Sequence, residues 1–256
     1  MPRKSGGVPL SLAPAAAGLL RCTAVTLLAA CVATVPPAPA AWRTASCGGA
    51  DYRYLLVPAA RRGPALVLLH GAGDRPESMI AAWQAFAVRR GIVLVAPVLP
   101  RVTAFEAAAP RVLRCVVEDA RGATPIDRRR VYLFGHSMGG YLAYDAATLA
   151  SDYFAAAAVH AMGIAPEYDW VVDSARRRTP MAIYIGDRDP FVPLAGVRRT
   201  RDLLVAHGFR VHYVELRNHD HDYFAMSDWI NADAWAFLRR QRLPAEPAAG
   251  RAGRGG

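Results

Sequence analysis

The stretch VYLFGHSMGGYL, residues 131–142, decides the fold of this chain. Its first four residues are an apolar run typical of a buried strand, and a helical pattern begins at Met138. Between them, residues 135–139 (GHSMG) match the pattern G-x-S-x-G. This pattern forms a sharp strand-to-helix turn that lifts the serine hydroxyl above a sheet, and its glycines leave room for the strained backbone. Ser137 is therefore the predicted nucleophile.

Apolar runs alternate with helical patterns on both sides of this turn. The predicted strands are 51–59, 65–69, 92–96, 131–134, 154–159, 181–185 and 211–216. The predicted helices are 78–90, 110–121, 138–149, a short one around 167–175, and 227–240. Apolar strands separated by helices predict an α/β fold, with a mostly parallel, doubly wound sheet and helices on both faces. The functional groups of such a sheet gather where its strands end.

A serine hydroxyl becomes reactive only when an oriented base removes its proton. In this turn motif the residues follow the chain order Ser, Asp or Glu, then His. Asp189 follows the predicted strand 181–185, and His221 follows the predicted strand 211–216. We predict Asp189 as the acid and His221 as the base.

Neighbouring residues offer alternatives for both roles. Asp187 lies in the same turn as Asp189, but the loop must leave the strand before a side chain can point at the histidine. Asp187 would then bond its own backbone. His219 could be the base, or else a supporting or solvent-facing group. A metal site at His219 and His221 is a third interpretation, which no nearby histidine or thiol cluster favours; we expect no metal and no cofactor.

The tetrahedral intermediate of acyl transfer requires two N–H donors for its oxyanion. The backbone amide of Met138, directly after the nucleophile, is the first candidate. The second is Ala72, in the loop HGAG (residues 70–73) that follows a predicted strand. His70 is predicted to be structural, with hydrogen bonds to the backbone.

The first 41 residues are predicted to be a targeting segment. Arg3 and Lys4 precede an apolar, uncharged stretch, residues 23–35, which has the length of a signal-peptide core. Residues 38–40 (APA) fit a cleavage site, whereas LAAC, residues 28–31, resembles a lipoprotein box that would anchor the chain to a membrane through a lipidated Cys31. Both routes predict an exported protein, secreted, periplasmic or lipid-anchored at the cell surface.

The remaining chain divides into a predicted catalytic domain, residues 42–243, and a predicted disordered tail, residues 244–256, rich in Pro, Ala, Gly and Arg. The catalytic domain contains Cys47 and Cys115. In an oxidising compartment these two form a disulfide, or else both stay unpaired with Cys115 buried on a helix face. The sequence leaves both alternatives open.

The formal net charge of +10 comes almost wholly from arginine. These arginines are scattered at expected turns and helix ends, and no basic stripe interleaved with aromatic residues is found. Nucleic acid is therefore not an expected partner. The oligomeric state is left open.

These motifs together resemble the α/β-hydrolase superfamily. Four segments are similar to exported esterases grouped with polyhydroxybutyrate depolymerases and feruloyl esterases: residues 66–74, 127–147, 185–193 and 218–224. The segment DHDYF, residues 220–224, also resembles the histidine loop of the S-formylglutathione hydrolase and esterase D group. In that pattern the histidine after Asp is the base, which implies His221 here, and Asp189 matches the family acid in G-x-x-D.

The expected activity is hydrolysis of carboxylic esters through an acyl-enzyme. Residues 160–180 are too few for a substantial cap domain, so we expect an open site that accepts short-chain or polymer-borne esters, with Tyr168, Trp170 and Phe191 at its rim. One alternative is a serine peptidase of the prolyl-oligopeptidase type, although such enzymes normally carry a gating domain for which we expect no room. The other is a catalytically silent surface-binding protein, which an intact triad disfavours.

Overall fold

The structure is a computed structural model and describes residues 39–99 and 109–245. The predicted targeting segment up to residue 38, including Cys31, lies outside the described residues, as does the predicted tail from residue 246 onward. In the described part of the chain, no helix is both long and apolar enough to cross a membrane.

One sheet organises the described residues. Its strands are β1 (Ala41–Cys47), β2 (Ala50–Val57), β3 (Gly63–Leu69), β4 (Val93–Pro97), β5 (Ile126–His136), β6 (Ala156–His160), β7 (Met181–Gly186) and β8 (Val211–Leu216). They lie in the order β1-β2-β4-β3-β5-β6-β7-β8. β2 is antiparallel to β1 and β4, and every other neighbouring pair is parallel.

Helices cover both faces of this sheet. They are α1 (Pro76–Val88), α2 (Ala109–Ala123), α3 (Met138–Leu149), α4 (Trp170–Asp173), α5 (Leu194–Ala206) and α6 (Ser227–Leu238). Buried side chains of α1 and α6 pack into one apolar core, and those of α2, α3, α4 and α5 pack into a second. The prediction of a mostly parallel, doubly wound α/β-hydrolase sheet is therefore confirmed.

The sequence patterns did not predict two elements, the strand β1 and the helix α5. β1 is an edge strand with mostly exposed residues, so it lacks the apolar run expected of a buried strand. α5 buries only Val197, Thr200 and Leu204 and carries several arginines, which dilutes its helical pattern. β5 also begins five residues earlier than predicted, because Ile126 already pairs with Gly63 of β3. The charged residues 127–130 form an irregularity between this pair and the pair Ala65–Val131.

The two cysteines of the domain form a disulfide, Cys47–Cys115, which joins β1 to α2. This decides between the two alternatives left open by the sequence. Between β6 and β7 the chain forms only a 3-10 turn, Pro166–Tyr168, and the single-turn helix α4. Within the described residues, the site at the carboxyl ends of these strands therefore has no large cap, as predicted.

Candidate active site

The turn between β5 and α3 holds Ser137 in a strained backbone conformation, with φ 51° and ψ −120°. Non-glycine residues rarely adopt a positive φ, and such strain is typical of functional sites. Close packing explains the flanking glycines. A Cβ atom at Gly135 would lie 2.3 Å from the Gly139 carbonyl oxygen, and one at Gly139 would lie 2.1 Å from that of Leu69. The sharp turn is thus built against β3.

Ser137, His221 and Asp189 form one hydrogen-bonded chain. The Oγ of Ser137 lies 2.8 Å from Nε2 of His221, and Nδ1 of His221 lies 2.7 Å from Oδ2 of Asp189. The other carboxylate oxygen of Asp189 accepts hydrogen bonds of 2.9 Å from the backbone amides of Phe191 and Val192. Because the carboxylate can only accept, Nδ1 of His221 donates and Nε2 is left to accept the serine proton.

The two alternatives considered for these roles lie outside this chain of hydrogen bonds. Asp187 is exposed, and its backbone amide donates to the Leu216 carbonyl. His219 is buried, and its Nε2 lies 3.3 Å from Nε2 of His160. A solvent-facing His219 is therefore wrong, because its ring packs into the interior.

The loop after β3 faces the same point. Gly71 and Ala72 line a cavity of about 350 Å³ together with Ser137 and His221, which we call the polar cavity. His70 fixes the loop, since its Nδ1 lies 2.9 Å from the Gly71 carbonyl and its Nε2 accepts from the Leu99 amide at 3.1 Å. The predicted structural role of His70 thus agrees with its contacts.

Met138 is the first residue of α3. The first N–H groups of a helix have no partner within it, and the helix dipole favours negative charge there. The amides of Met138 and Ala72 therefore stand on elements that border the nucleophile from two sides.

A second cavity of about 480 Å³, which we call the apolar cavity, also reaches Ser137 and His221. Its other lining is mainly apolar: Tyr141, Met162, Ile164, Pro166, Phe191 and Val192. Of the three aromatic residues predicted at the rim, Phe191 lines both cavities, and its ring centroid lies 5.1 Å from that of His221. Tyr168 packs against the core and Trp170 is exposed on α4.

Two buried histidines beside the nucleophile were not singled out from the sequence. His136 ends β5 and lines the polar cavity, and His160 ends β6. Burial and, to a smaller extent, the neighbouring His221 together lower the pKa of His136 to about 4. Burial also holds the pKa of His160 well below its usual value. Only the position of each histidine at the carboxyl end of a buried strand could have signalled them.

Within the described residues, no group of three or more His, Cys, Asp or Glu side chains could hold a metal ion. His219 and His221 use their ring nitrogens on different partners, His160 for the first and Ser137 with Asp189 for the second. The arrangement is suited to proton transfer between a hydroxyl and an imidazole.

Solved structures with this fold include several esterases. "Crystal Structure of a Thermostable Esterase" matches with 21% identity and a TM-score of 0.63, over 79% of this chain and 63% of that one. This chain thus spans less than two thirds of that esterase. Esterase 2 of Thermogutta terrifontis, phosphorylated by paraoxon, matches with 19% identity and a TM-score of 0.63, over 81% of this chain and 96% of that one.

An acylaminoacyl peptidase of Pyrococcus horikoshii matches with 13% identity and a TM-score of 0.64, over 84% of this chain and 43% of that one. Such identities show a shared fold. No curated protein is similar enough in sequence to match. Residues 66–252 match the alpha/beta hydrolase family, a span that contains Ser137, Asp189 and His221. The chain therefore belongs to the alpha/beta hydrolase family.

Proposed function

We propose that this protein is a serine ester hydrolase. The observation that carries the proposal is the continuous hydrogen-bonded chain from Ser137 through His221 to Asp189, on a strained turn that opens into two cavities. In this reaction Ser137 attacks the ester carbonyl while His221 takes its proton. His221 then protonates the departing alcohol, and water releases the acyl group by the same route.

The remaining groups stabilise the charges that develop during the reaction. Asp189 holds the His221 tautomer and stabilises the imidazolium that forms during attack. The amides of Ala72 and Met138 are the proposed donors to the oxyanion, because they stand beside the nucleophile on the β3 loop and the α3 N-terminus. No cofactor enters this mechanism.

The proposed substrates are short-chain or polymer-borne carboxylic esters. Both cavities open to the surface at the carboxyl ends of the strands. Among the described residues, no large cap separates them from solvent. An apolar cavity next to the nucleophile suits a small acyl or aryl group. The sequence resemblance to polyhydroxybutyrate depolymerases and feruloyl esterases adds hydroxybutyrate and feruloyl esters to the candidates.

The test uses p-nitrophenyl esters of increasing acyl length with the wild type, Ser137→Ala and Ser46→Ala. Ser46 is an exposed serine on the edge strand β1, so its variant is the matched control. We expect hydrolysis of the short esters by the wild type and Ser46→Ala, and none above background by Ser137→Ala. Paraoxon should inactivate the protein and add one phosphoryl group to the peptide that contains Ser137.

Two outcomes would overturn the proposal. Ser137-dependent cleavage of acyl-peptides with no ester turnover would favour the peptidase alternative. No turnover of either class together with no paraoxon adduct would favour the silent scaffold.

We also propose that the protein is exported. The leader pattern of residues 1–41 supports this, and so does the Cys47–Cys115 disulfide, because such bonds persist in oxidising compartments. Mass analysis of the mature N-terminus tests the route. A start at Ala41 indicates signal cleavage, a lipid-modified Cys31 indicates membrane anchoring, and an intact Met1 contradicts export by this leader.

A further inference from the structure

Three buried histidine rings lie in series behind the nucleophile. Nδ1 of His136 lies 3.1 Å from Nδ1 of His160, and Nε2 of His160 lies 3.3 Å from Nε2 of His219. All three are buried, and His160 is fully so. None of them has a role in the proposed chemistry, so we call them the histidine chain and ask what it does.

The chemistry of imidazole constrains this chain. A neutral ring carries one N–H donor and one acceptor nitrogen. Burial keeps the pKa of His136 and of His160 low, so these rings are neutral near pH 7. Both nitrogens of His160 face another ring nitrogen, so His160 must donate to one neighbour and accept from the other. The two hydrogen bonds therefore run in one direction along the chain.

The same three residues connect the backbone segments that carry the triad. His136 directly precedes Ser137, and the carbonyl of His160 accepts a 2.9 Å hydrogen bond from the Ser137 amide. The carbonyl of His219 accepts a 3.0 Å hydrogen bond from the backbone amide of Arg188, the residue before Asp189. His219 itself stands two residues before His221.

Packing at the far end of the chain is equally close. A Cβ atom at Gly186 would lie 2.2 Å from the His219 carbonyl oxygen, so the loop after β7 rests directly on the loop after β8. A shift of the His219 backbone would therefore move the segments that hold both Asp189 and His221.

We propose that His160 is a positioning residue, whose ring ties the nucleophile turn to the histidine loop and holds Ser137 and His221 at hydrogen-bonding distance. The inference rests on the proposed ester hydrolysis and deepens it. His160 suits this role because its two nitrogens lie on opposite edges of one rigid ring, so it bridges His136 and His219 at once. An apolar side chain of similar size fills the space but joins neither neighbour.

The experiment compares His160→Leu, which removes both hydrogen bonds, with His160→Gln, whose amide still donates and accepts. Tyr132→Phe is the matched control, because it loses a buried hydrogen bond of 2.8 Å to the Gln241 carbonyl on the same sheet, away from the triad. We expect His160→Leu to lower kcat on p-nitrophenyl acetate roughly 10- to 100-fold with KM changed less than about threefold, since small misplacements of reacting groups cost this much. His160→Gln should recover most of this loss, and Tyr132→Phe should keep the wild-type kcat.

A second measurement does not depend on turnover. The low-field proton spectrum of the purified wild type should show the Nδ1 proton of His221 that is shared with Asp189. We expect this resonance to persist in His160→Gln and Tyr132→Phe and to be lost in His160→Leu. In nitrogen-15 spectra of the wild type, the His136 and His160 rings should stay neutral at pH 5.5, which tests the histidine chain even where a variant fails to fold.

The inference is overturned by a His160→Leu protein that keeps the wild-type kcat and the His221 resonance. It is also overturned by His136 and His160 rings that titrate near pH 6.5 in the wild type. Absence of ester turnover in the wild type would instead count against the proposed function, because the two spectra report the arrangement of rings without any substrate.

Discussion

At the scale of single residues, the surroundings of Asp189 and Asp187 separate two side chains of identical chemistry. The side chain of Asp189 is 1% exposed, and it accepts hydrogen bonds from Nδ1 of His221 and from two backbone amides. Asp187, two residues earlier, points to solvent. A carboxylate that is fixed by three donors holds an imidazole in one tautomer and orientation more firmly than an exposed one, for which water competes.

We therefore predict that Asp189→Asn lowers kcat on short esters on the order of 10³- to 10⁴-fold, because an amide can stabilise neither the required tautomer nor the imidazolium. Asp187→Asn should stay within about twofold of the wild type. Steady-state kinetics on p-nitrophenyl acetate check both. Equal losses in the two variants would reject Asp189 as the partner of His221.

At the scale of elements, the contact between β3 and α3 sets the height of the nucleophile above the sheet. Gly139 lies in the first turn of α3, directly against the backbone of Leu69 at the end of β3. Any side chain at Gly139 would separate the helix from the strand and lift Ser137 away from the loop that carries Ala72.

Gly139→Ala is predicted to lower the free energy of unfolding by about 3 kcal/mol, because its methyl group overlaps backbone atoms that cannot move aside. Gly122→Ala on α2 is the matched control. A Cβ atom there meets no atom within 4 Å, so the helix should gain about 0.5–1 kcal/mol. Chemical denaturation measures both, and a Gly139→Ala protein as stable as the wild type would contradict the close packing.

At the scale of the whole molecule, the disulfide fixes β1, the edge strand at the opposite end of the sheet from β8. β1 is four positions from β5 in the sheet, and its outer residues pack little. Cys47 and Cys115 are 68 residues apart in sequence, so their bond restricts a long loop of the unfolded chain.

Cys47→Ala combined with Cys115→Ala should lower the free energy of unfolding by about 4 kcal/mol, mainly by freeing this loop in the unfolded state. Ester turnover per folded molecule should be unchanged, since β1 lies at the opposite edge from β8. The double variant should also lose the sensitivity of the wild type to dithiothreitol. Equal stability of the oxidised and reduced wild type would contradict a structural role for the bond.

The buried histidines make global stability depend on pH. Folding lowers the pKa of His136 from 6.5 to about 4 and holds that of His160 well below 6.5, so the unfolded chain binds more protons than the folded one below pH 6.5. The free energy of unfolding should therefore fall as the pH decreases, by about 2 kcal/mol from His136 alone between pH 7 and pH 4.5.

Denaturation at pH 7, 6, 5 and 4.5 checks this dependence. Asp127 contributes little over this window, because its stabilisation is lost only as the pH falls through its unfolded pKa of 3.8 and below. Glu215, whose pKa folding lowers from 4.5 to about 2, begins to contribute only at the low end of the window. His160→Gln should show a smaller loss over the same window because it removes one of the two rings. A stability that is constant from pH 7 to pH 4.5 would disprove the coupling.

Much of this protein was determined by short-range features of its sequence. The strand-turn-helix of residues 131–142 depends on local sterics and on apolar runs, so the fold class, Ser137 and the bounds of α3 followed directly from it. The chain order of the acid and the histidine then pointed to the two loops after β7 and β8. Edge strand β1 and arginine-rich α5 were missed, because neither carries an apolar pattern of its own.

Only the tertiary structure decided which side chains meet. Asp189 rather than Asp187 contacts His221, Cys47 bonds Cys115, and His160 joins His136 to His219. Each of these contacts joins segments that are distant in the chain, and the choice between Asp187 and Asp189 is made within a single turn. A pattern in sequence specifies how a segment folds. Contact between segments depends instead on the strand order of the sheet and on the close packing of its loops. This packing turns the Asp189 side chain inward and leaves its neighbour Asp187 in solvent.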